Sequence, residues 1–146
     1  MRLEIFRTLW GYRGSWQQAL DEALGAGFDG LEARIPETAA QRAINARLLR
    51  EQNVPYIATL FTSTPVLPRQ SDSPQVHLED LRIKLDWAAE LSPRLVNVLP
   101  GNDRWSLSEQ VDFFARAVEL AAACGLKVCF EIHRGRSLYS PWVTLD

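Results

Sequence analysis

The sequence is poor in cysteine, with two among 146 residues, Cys124 and Cys129. Their spacing is not the CxxC of a redox or zinc site, and two cysteines are too few for a disulfide scaffold, so both are expected to be small reduced core residues. An excess of one charge is lacking too. Sixteen basic and 18 acidic side chains give a formal net charge of -2, with no Lys/Arg cluster, so the electrostatic footprint of a nucleic-acid-binding protein is missing. No apolar run approaches the roughly 18 residues of a membrane helix. Arg2, Glu4 and Arg7 interrupt what would have to be the apolar region of a secretory signal. A cytoplasmic location without nucleic-acid or membrane partners is expected. GxGxxG, GxSxG, HExxH and the P-loop pattern are also absent, which removes the usual dinucleotide, serine-hydrolase, zincin and nucleotide-phosphate readings.

What remains is 47% hydrophobic and 23% charged, the balance of one ordinary globular domain covering residues 1–146. Short β-branched or aromatic runs alternate with longer segments of helical period. Strands are expected at Leu3–Trp10, Gly30–Ile35, Tyr56–Phe61, Leu95–Leu99 and Lys127–Ile132. Between them the pattern predicts helices opening after Ser15 and over Thr38–Gln52, Val76–Leu91 and Ser106–Cys124. Ser106 and Glu109 have the spacing of a capping box, and Ser140-Pro141 has the chemistry of a further helix start. Thr62–Pro74, with three prolines, three serines and two threonines, reads as a long loop of the kind that often carries function.

Strand starts near residues 3, 30, 55, 95 and 127 give a repeat of roughly 30 residues, the size of one βα unit. Eight such units make a (β/α)8 barrel of about 250 residues, so this length holds between four and five of them. The expected fold class is α/β, an incomplete barrel covering about the first five strands.

In such a barrel alternate strand residues face the helices and the interior, and functional groups gather at the carboxyl ends of the strands. On the fifth strand Val128, Phe130 and Ile132 share the apolar face, which turns Cys129, Glu131 and His133 inward. Burying a carboxylate without compensation costs several kcal/mol, so Glu131 needs a metal, a cation or strong hydrogen bonds. A structural ion pair with Arg134 or Arg136 is the competing reading. The same parity turns Glu32 and Arg34 inward on the second strand, Glu32 as interior support or as a substrate contact. Asn97 on the fourth strand either orients a ligand or is a satisfied core amide. Asp103 and Trp105 are expected on the same rim, and Trp10, Trp16 and Trp105 include candidates for packing on a sugar face. His77 has no carboxylate or cysteine at ligand spacing and reads as surface or packing.

Phe28-Asp29-Gly30-Leu31-Glu32, Asn97-Val98 with Gly101-Asn102-Asp103, and above all Phe130-Glu131-Ile132-His133-Arg134-Gly135-Arg136 with Ser140-Pro141 resemble the xylose isomerase-like TIM barrels of the sugar phosphate isomerase/epimerase group. The resemblance spans essentially the whole chain, which matches the amino-terminal five strands of barrels about twice its size. It implies a divalent metal, Mn, Mg, Co or Zn, held at the barrel mouth by carboxylates and a histidine of the fifth to eighth strands. There the metal polarises a carbonyl while two glutamates move a proton through an enediolate. Glu131 matches the first metal ligand and one glutamate of that pair. The resemblance further implies that His133 binds substrate oxygen or supports Glu131, and that Arg134 or Arg136 holds an anionic group. The substrate would be a small sugar or sugar phosphate.

The strands that supply the other ligands in the family have no counterpart here, so the chain by itself is expected to lack isomerase activity and to self-associate through uncovered edges. The related endonuclease IV pattern does not fit, because the second, third and fourth strands end in Ile35-Pro36, Phe61-Thr62 and Leu99-Pro100, without histidine. A non-catalytic half-barrel that dimerises or binds a sugar-like ligand is the other reading.

Overall fold

A computed structural model describes residues 3–63 and 66–145. Met1, Arg2 and Asp146, and residues 64 and 65 of the predicted long loop, lie outside the described residues. The elements run β1 (Phe6–Thr8), α1 (Trp16–Gly25), β2 (Gly30–Arg34), α2 (Ala39–Glu51), β3 (Tyr56–Phe61), α3 (Pro74–Glu90), β4 (Leu95–Leu99), α4 (Leu107–Ala123), β5 (Val128–Phe130) and a short α5 (Pro141–Leu145). All strand pairs are parallel and follow chain order, β1-β2-β3-β4-β5. This is the expected α/β sheet of five successive βα units, open at β1 and β5.

Helices α1, α2 and α4 begin where side chains satisfy the first free amides, while α3 opens on Pro74. Ser15 with Gln18, and Ser106 with Glu109, form reciprocal capping boxes on α1 and α4, while the Thr38 hydroxyl accepts the Gln41 N–H at the start of α2. Helices α1 to α4 each bury one stripe against the outer face of the sheet, whereas α5 buries no residue. Leu20, Leu31, Tyr56, Leu85, Val96, Val98 and Phe113 are all 2% exposed or less. At roughly 25 cal/mol for each Å² of apolar surface removed from water, this layer supplies most of the driving force for folding. The Tyr56 hydroxyl inside it donates to the Ala33 carbonyl at 2.8 Å.

Gly30 marks a close approach. A Cβ there would stand 2.4 Å from the Pro55 carbonyl oxygen, so the β2–β3 contact requires glycine.

The outer strands are shorter than their apolar runs. β1 holds three of the eight predicted residues and β5 three of six, because each has a partner on one side only. Cys124 and Cys129 are free thiols, but Cys129 is exposed rather than core. It points to the concave face of the sheet, which nothing covers among the described residues.

Candidate functional site

Register places the inward side chains of five strands in rows. Arg34 pairs with Thr59, Thr59 with Asn97, and Asn97 with Cys129. Glu32 sits one pleat below that row on β2, and Glu131 follows one pleat above it, just past β5. The concave side opens into a cleft of about 710 Å³ lined by Glu32, Arg34, Thr59, Glu131 and His133, with Trp10 and Trp16 along one wall. It lies at the carboxyl ends of the strands, where barrel enzymes place their chemistry.

Glu131 is held by an amide rather than a cation. The Asn97 Nδ2–H donates to Glu131 Oε2 at 2.6 Å, and the Glu131 backbone N–H donates to the Val98 carbonyl. Among the described residues, Glu131 is in no ion pair with Arg134 or Arg136. Oε1 therefore remains available at the cleft. Asn97 Oδ1 faces the Cys129 thiol at 3.5 Å, so this amide is an organising element of the cleft. Partial burial, then the Glu131 and Glu32 carboxylates, push the Cys129 thiol above its ordinary value. The two glutamates thus act on one point of the concave face. Glu32 in turn accepts a hydrogen bond from Thr59 Oγ1 at 3.1 Å.

His133 contributes a defined tautomer. Its Nδ1 lies 2.7 Å from the Arg134 carbonyl oxygen. A carbonyl only accepts, so Nδ1 carries a proton, and in the neutral ring Nε2 is left as the acceptor.

Two predicted site residues lie elsewhere. Arg136 is fully buried, and its guanidinium donates to the carbonyls of Thr62 at 3.0 Å, Gly101 at 3.3 Å and Val66 at 2.9 Å. It also stands 5.3 Å over the Phe61 ring. These contacts tie three loops together beneath the rim and keep the group from any ligand in the cleft. Arg134 is exposed and offers its backbone carbonyl rather than its charge.

Trp105 is corrected as well, being core rather than rim. It is 7% exposed, packs between His77 and Phe113, and donates its Nε1–H to the Asp72 carbonyl at 3.1 Å. His77 is packing, with Nδ1 2.7 Å from the Thr62 hydroxyl. Burial, reinforced by nearby Arg136, lowers its pKa to about 4.

Thr59 is a cleft residue that sequence reasoning missed, and Arg34, expected to face inward, lines the cleft as well. The alternation Tyr56, Ala58, Leu60 against Ile57, Thr59, Phe61 was the signal for Thr59, the one hydrogen-bonding side chain of β3's inner face. No set of three His, Cys, Asp or Glu side chains able to hold a metal ion exists among the described residues. With one oxygen of Glu131 engaged by Asn97, these residues do not by themselves fit a catalytic metal.

No family model matches the sequence, and no curated protein matches it. Solved structures do match. One is an L-ribulose 3-epimerase, at a TM-score of 0.76 and 17% identity over 99% of this chain and 55% of that one. A D-allulose 3-epimerase from Methylomonas sp., solved with D-allulose, gives 0.72 and 19% over 99% and 57%. A probable 3-DHS dehydratase, AsbF from Bacillus anthracis, gives 0.71 and 14% over 98% and 57%. An IolI protein with a bound zinc atom gives 0.63 and 12% over 88% and 51%. The chain therefore spans little more than half the length of the structures it matches. Its five parallel βα units have the fold of part of these TIM barrels.

Proposed function

We propose that this chain supplies the sugar-facing cleft and the first carboxylate of an isomerase or epimerase that moves a proton at a carbon beside a sugar carbonyl. The observation that carries this reading is Glu131, one oxygen fixed by Asn97 and the other available, facing a cleft that also holds Glu32 and His133. The structural likeness to two sugar epimerases supports it.

Each group has a role that its geometry suits. Glu131 Oε1 is positioned to take up or return the proton, while Asn97 keeps the carboxylate from turning away. His133 Nε2 accepts a sugar hydroxyl, with its tautomer set by the Arg134 carbonyl. The Glu32–Thr59 pair offers hydrogen bonds to other hydroxyls, and Trp10 and Trp16 present ring surface to the apolar side of the sugar. A positioned carboxylate of this kind contributes about 10²–10⁴-fold to a proton transfer. On this reading a divalent metal belongs to the completed site. Glu131 can contribute one ligand to it, and the other donors come from outside these residues. No step is assigned to the metal in this chain alone, which we propose is inactive.

Exchange of the ketose α-proton in deuterated water, followed by proton NMR with and without Mn²⁺, tests the reading. The 146-residue chain should show none. A polypeptide extended by any reading frame that continues past Asp146 should show metal-stimulated exchange, which Glu131→Gln lowers by about 10²–10⁴-fold. Exchange that persists unchanged in Glu131→Gln overturns the assignment. Sustained turnover by the 146-residue chain overturns its inactivity.

The dimerising or ligand-binding half-barrel is the second reading, favoured by the absence of a three-donor metal cluster among the described residues. Its mark would be a discrete dimer that binds sugar without metal.

A further inference from the structure

We infer that Arg34 is the anion anchor of the cleft, so that the ligand is a sugar derivative carrying a phosphate or carboxylate at the end away from Glu131. The inference rests on the sugar-binding reading above and goes further by naming the ligand's charge and its orientation.

Arg34 is the one arginine in the lining of the large cleft, which contains no lysine. It stands on β2 two residues beyond Glu32 on the same face, closer to the rim. The guanidinium lies 5.3 Å over the Phe61 ring, and the side chain is exposed. It forms no ion pair with the described carboxylates and donates no hydrogen bond to another described residue. Glu32, the nearest candidate on its own strand, is bonded to Thr59 instead.

Two other cations near the cleft are engaged. Lys84 holds Asp80 at 2.6 Å and the Phe61 carbonyl at 2.7 Å. Arg136 is buried among loop carbonyls. Arg34 is thus a planar fork of five donors, braced on one face by an aromatic ring and open at its edge, which suits bidentate capture of an oxyanion. Its fold role is slight, since an exposed cation–π contact contributes little to stability.

Position adds orientation. β2 and β5 are three strand spacings apart, about 14 Å along the sheet and less across its concave face. Long side chains reach in from both sides. A pentose- or hexose-sized chain bridges the remaining gap with its carbonyl end at Glu131 and its anionic end at Arg34. Arg34 also borders an adjoining pocket of about 250 Å³ lined by Glu37, Asp80 and Lys84, and the two carboxylates there leave the main-cleft side of the guanidinium as the side for an anion.

Calorimetric titration of the purified 146-residue chain with fructose, fructose 6-phosphate and glucuronate tests the assignment, using the two anions to tell phosphate from carboxylate. At least one anion should bind roughly tenfold more tightly than fructose, the low end for a charge-assisted bidentate contact at a partly exposed site. Arg34→Gln should erase that advantage while leaving fructose affinity within about twofold. Arg34→Lys should keep part of it, and circular dichroism should show an unchanged fold for both variants. Equal binding of fructose and both anions overturns the assignment, as does an anion advantage that survives Arg34→Gln or is lost in Lys84→Gln instead. Absence of binding by all three ligands at millimolar concentration also overturns it. Failure of the proton-transfer reading registers separately, as α-proton exchange indifferent to Glu131→Gln.

Discussion

Replacing Arg136 by alanine removes the donor that three loop carbonyls share. In the folded protein those oxygens belong to Thr62, Gly101 and Val66, on the loops after β3 and β4, and all lie within 3.3 Å of the guanidinium nitrogens. A hydrogen bond to a charged group contributes roughly 1.5–3 kcal/mol, and a buried carbonyl left without its donor costs about 1–3 kcal/mol. Relaxation of the loops toward water recovers part of this. The expected loss is therefore about 3–5 kcal/mol, a large share of the 5–15 kcal/mol that holds a typical domain folded. With a urea dependence near 2 kcal/mol per molar, the unfolding midpoint followed by circular dichroism should fall by about 2 M. Arg136→Lys keeps the charge but not the fork, so it should fall between the two. Arg134→Ala, at an exposed neighbour, should stay within about 0.5 kcal/mol of the parent. A midpoint for Arg136→Ala within about 0.5 M of the parent would refute the reasoning and return Arg136 to the list of ligand contacts.

His77 makes stability depend on pH in a defined direction. Its pKa is about 4 in the folded chain against an ordinary 6.5, so between those values the unfolded chain binds more protons and stability falls as the pH is lowered. The full loss should approach about 3 kcal/mol near pH 4, and His77→Gln should flatten that slope in urea midpoints measured from pH 7 to 4. Gly101 has φ +59°, and a Cβ there would stand 1.9 Å from Ser137 Oγ and 2.5 Å from Trp105. Gly101→Ala should cost about 2–4 kcal/mol, measured by the same denaturation, from strain and overpacking together. Ile132, just past β5, and Trp142 and Leu145 on α5 are 50%, 78% and 80% exposed, so sedimentation velocity should show association that rises with concentration and weakens in Trp142→Ser.

The interior strands were the most legible part of the fold. β3 and β4 begin and end where their apolar runs do, because both are paired on two sides, with Pro55 just before β3 and Pro100 just after β4. The Ser106–Glu109 capping box follows from residue spacing alone, and Ser15 was legible as an N-cap, its Gln18 partner being added by the structure. Parity turned Glu32, Glu131 and His133 inward, since a period of two leaves little freedom once the apolar face is known, and Asn97 stood out as an amide interrupting an apolar run. Arg136 and Trp105 were illegible for the opposite reason. Both sit in loops, where no period says which way a side chain turns, and their partners Thr62, Val66 and Asp72 are some 30 to 70 residues distant in sequence. Cys129 was read as core from residue type, yet its neighbours on the concave face are polar and that face is open.

The most direct test of the central claim, that the concave cleft receives a sugar beside Glu131, is a two-dimensional amide NMR titration of the chain with D-allulose. Perturbed signals should cluster at Trp10, Glu32, Thr59, Asn97, Glu131 and His133, and Glu131→Gln should weaken the binding without shifting the signals of the outer helices. Perturbations confined to the opposite end of the sheet, around Asn53 and Arg94, or none at millimolar sugar, would contradict the account.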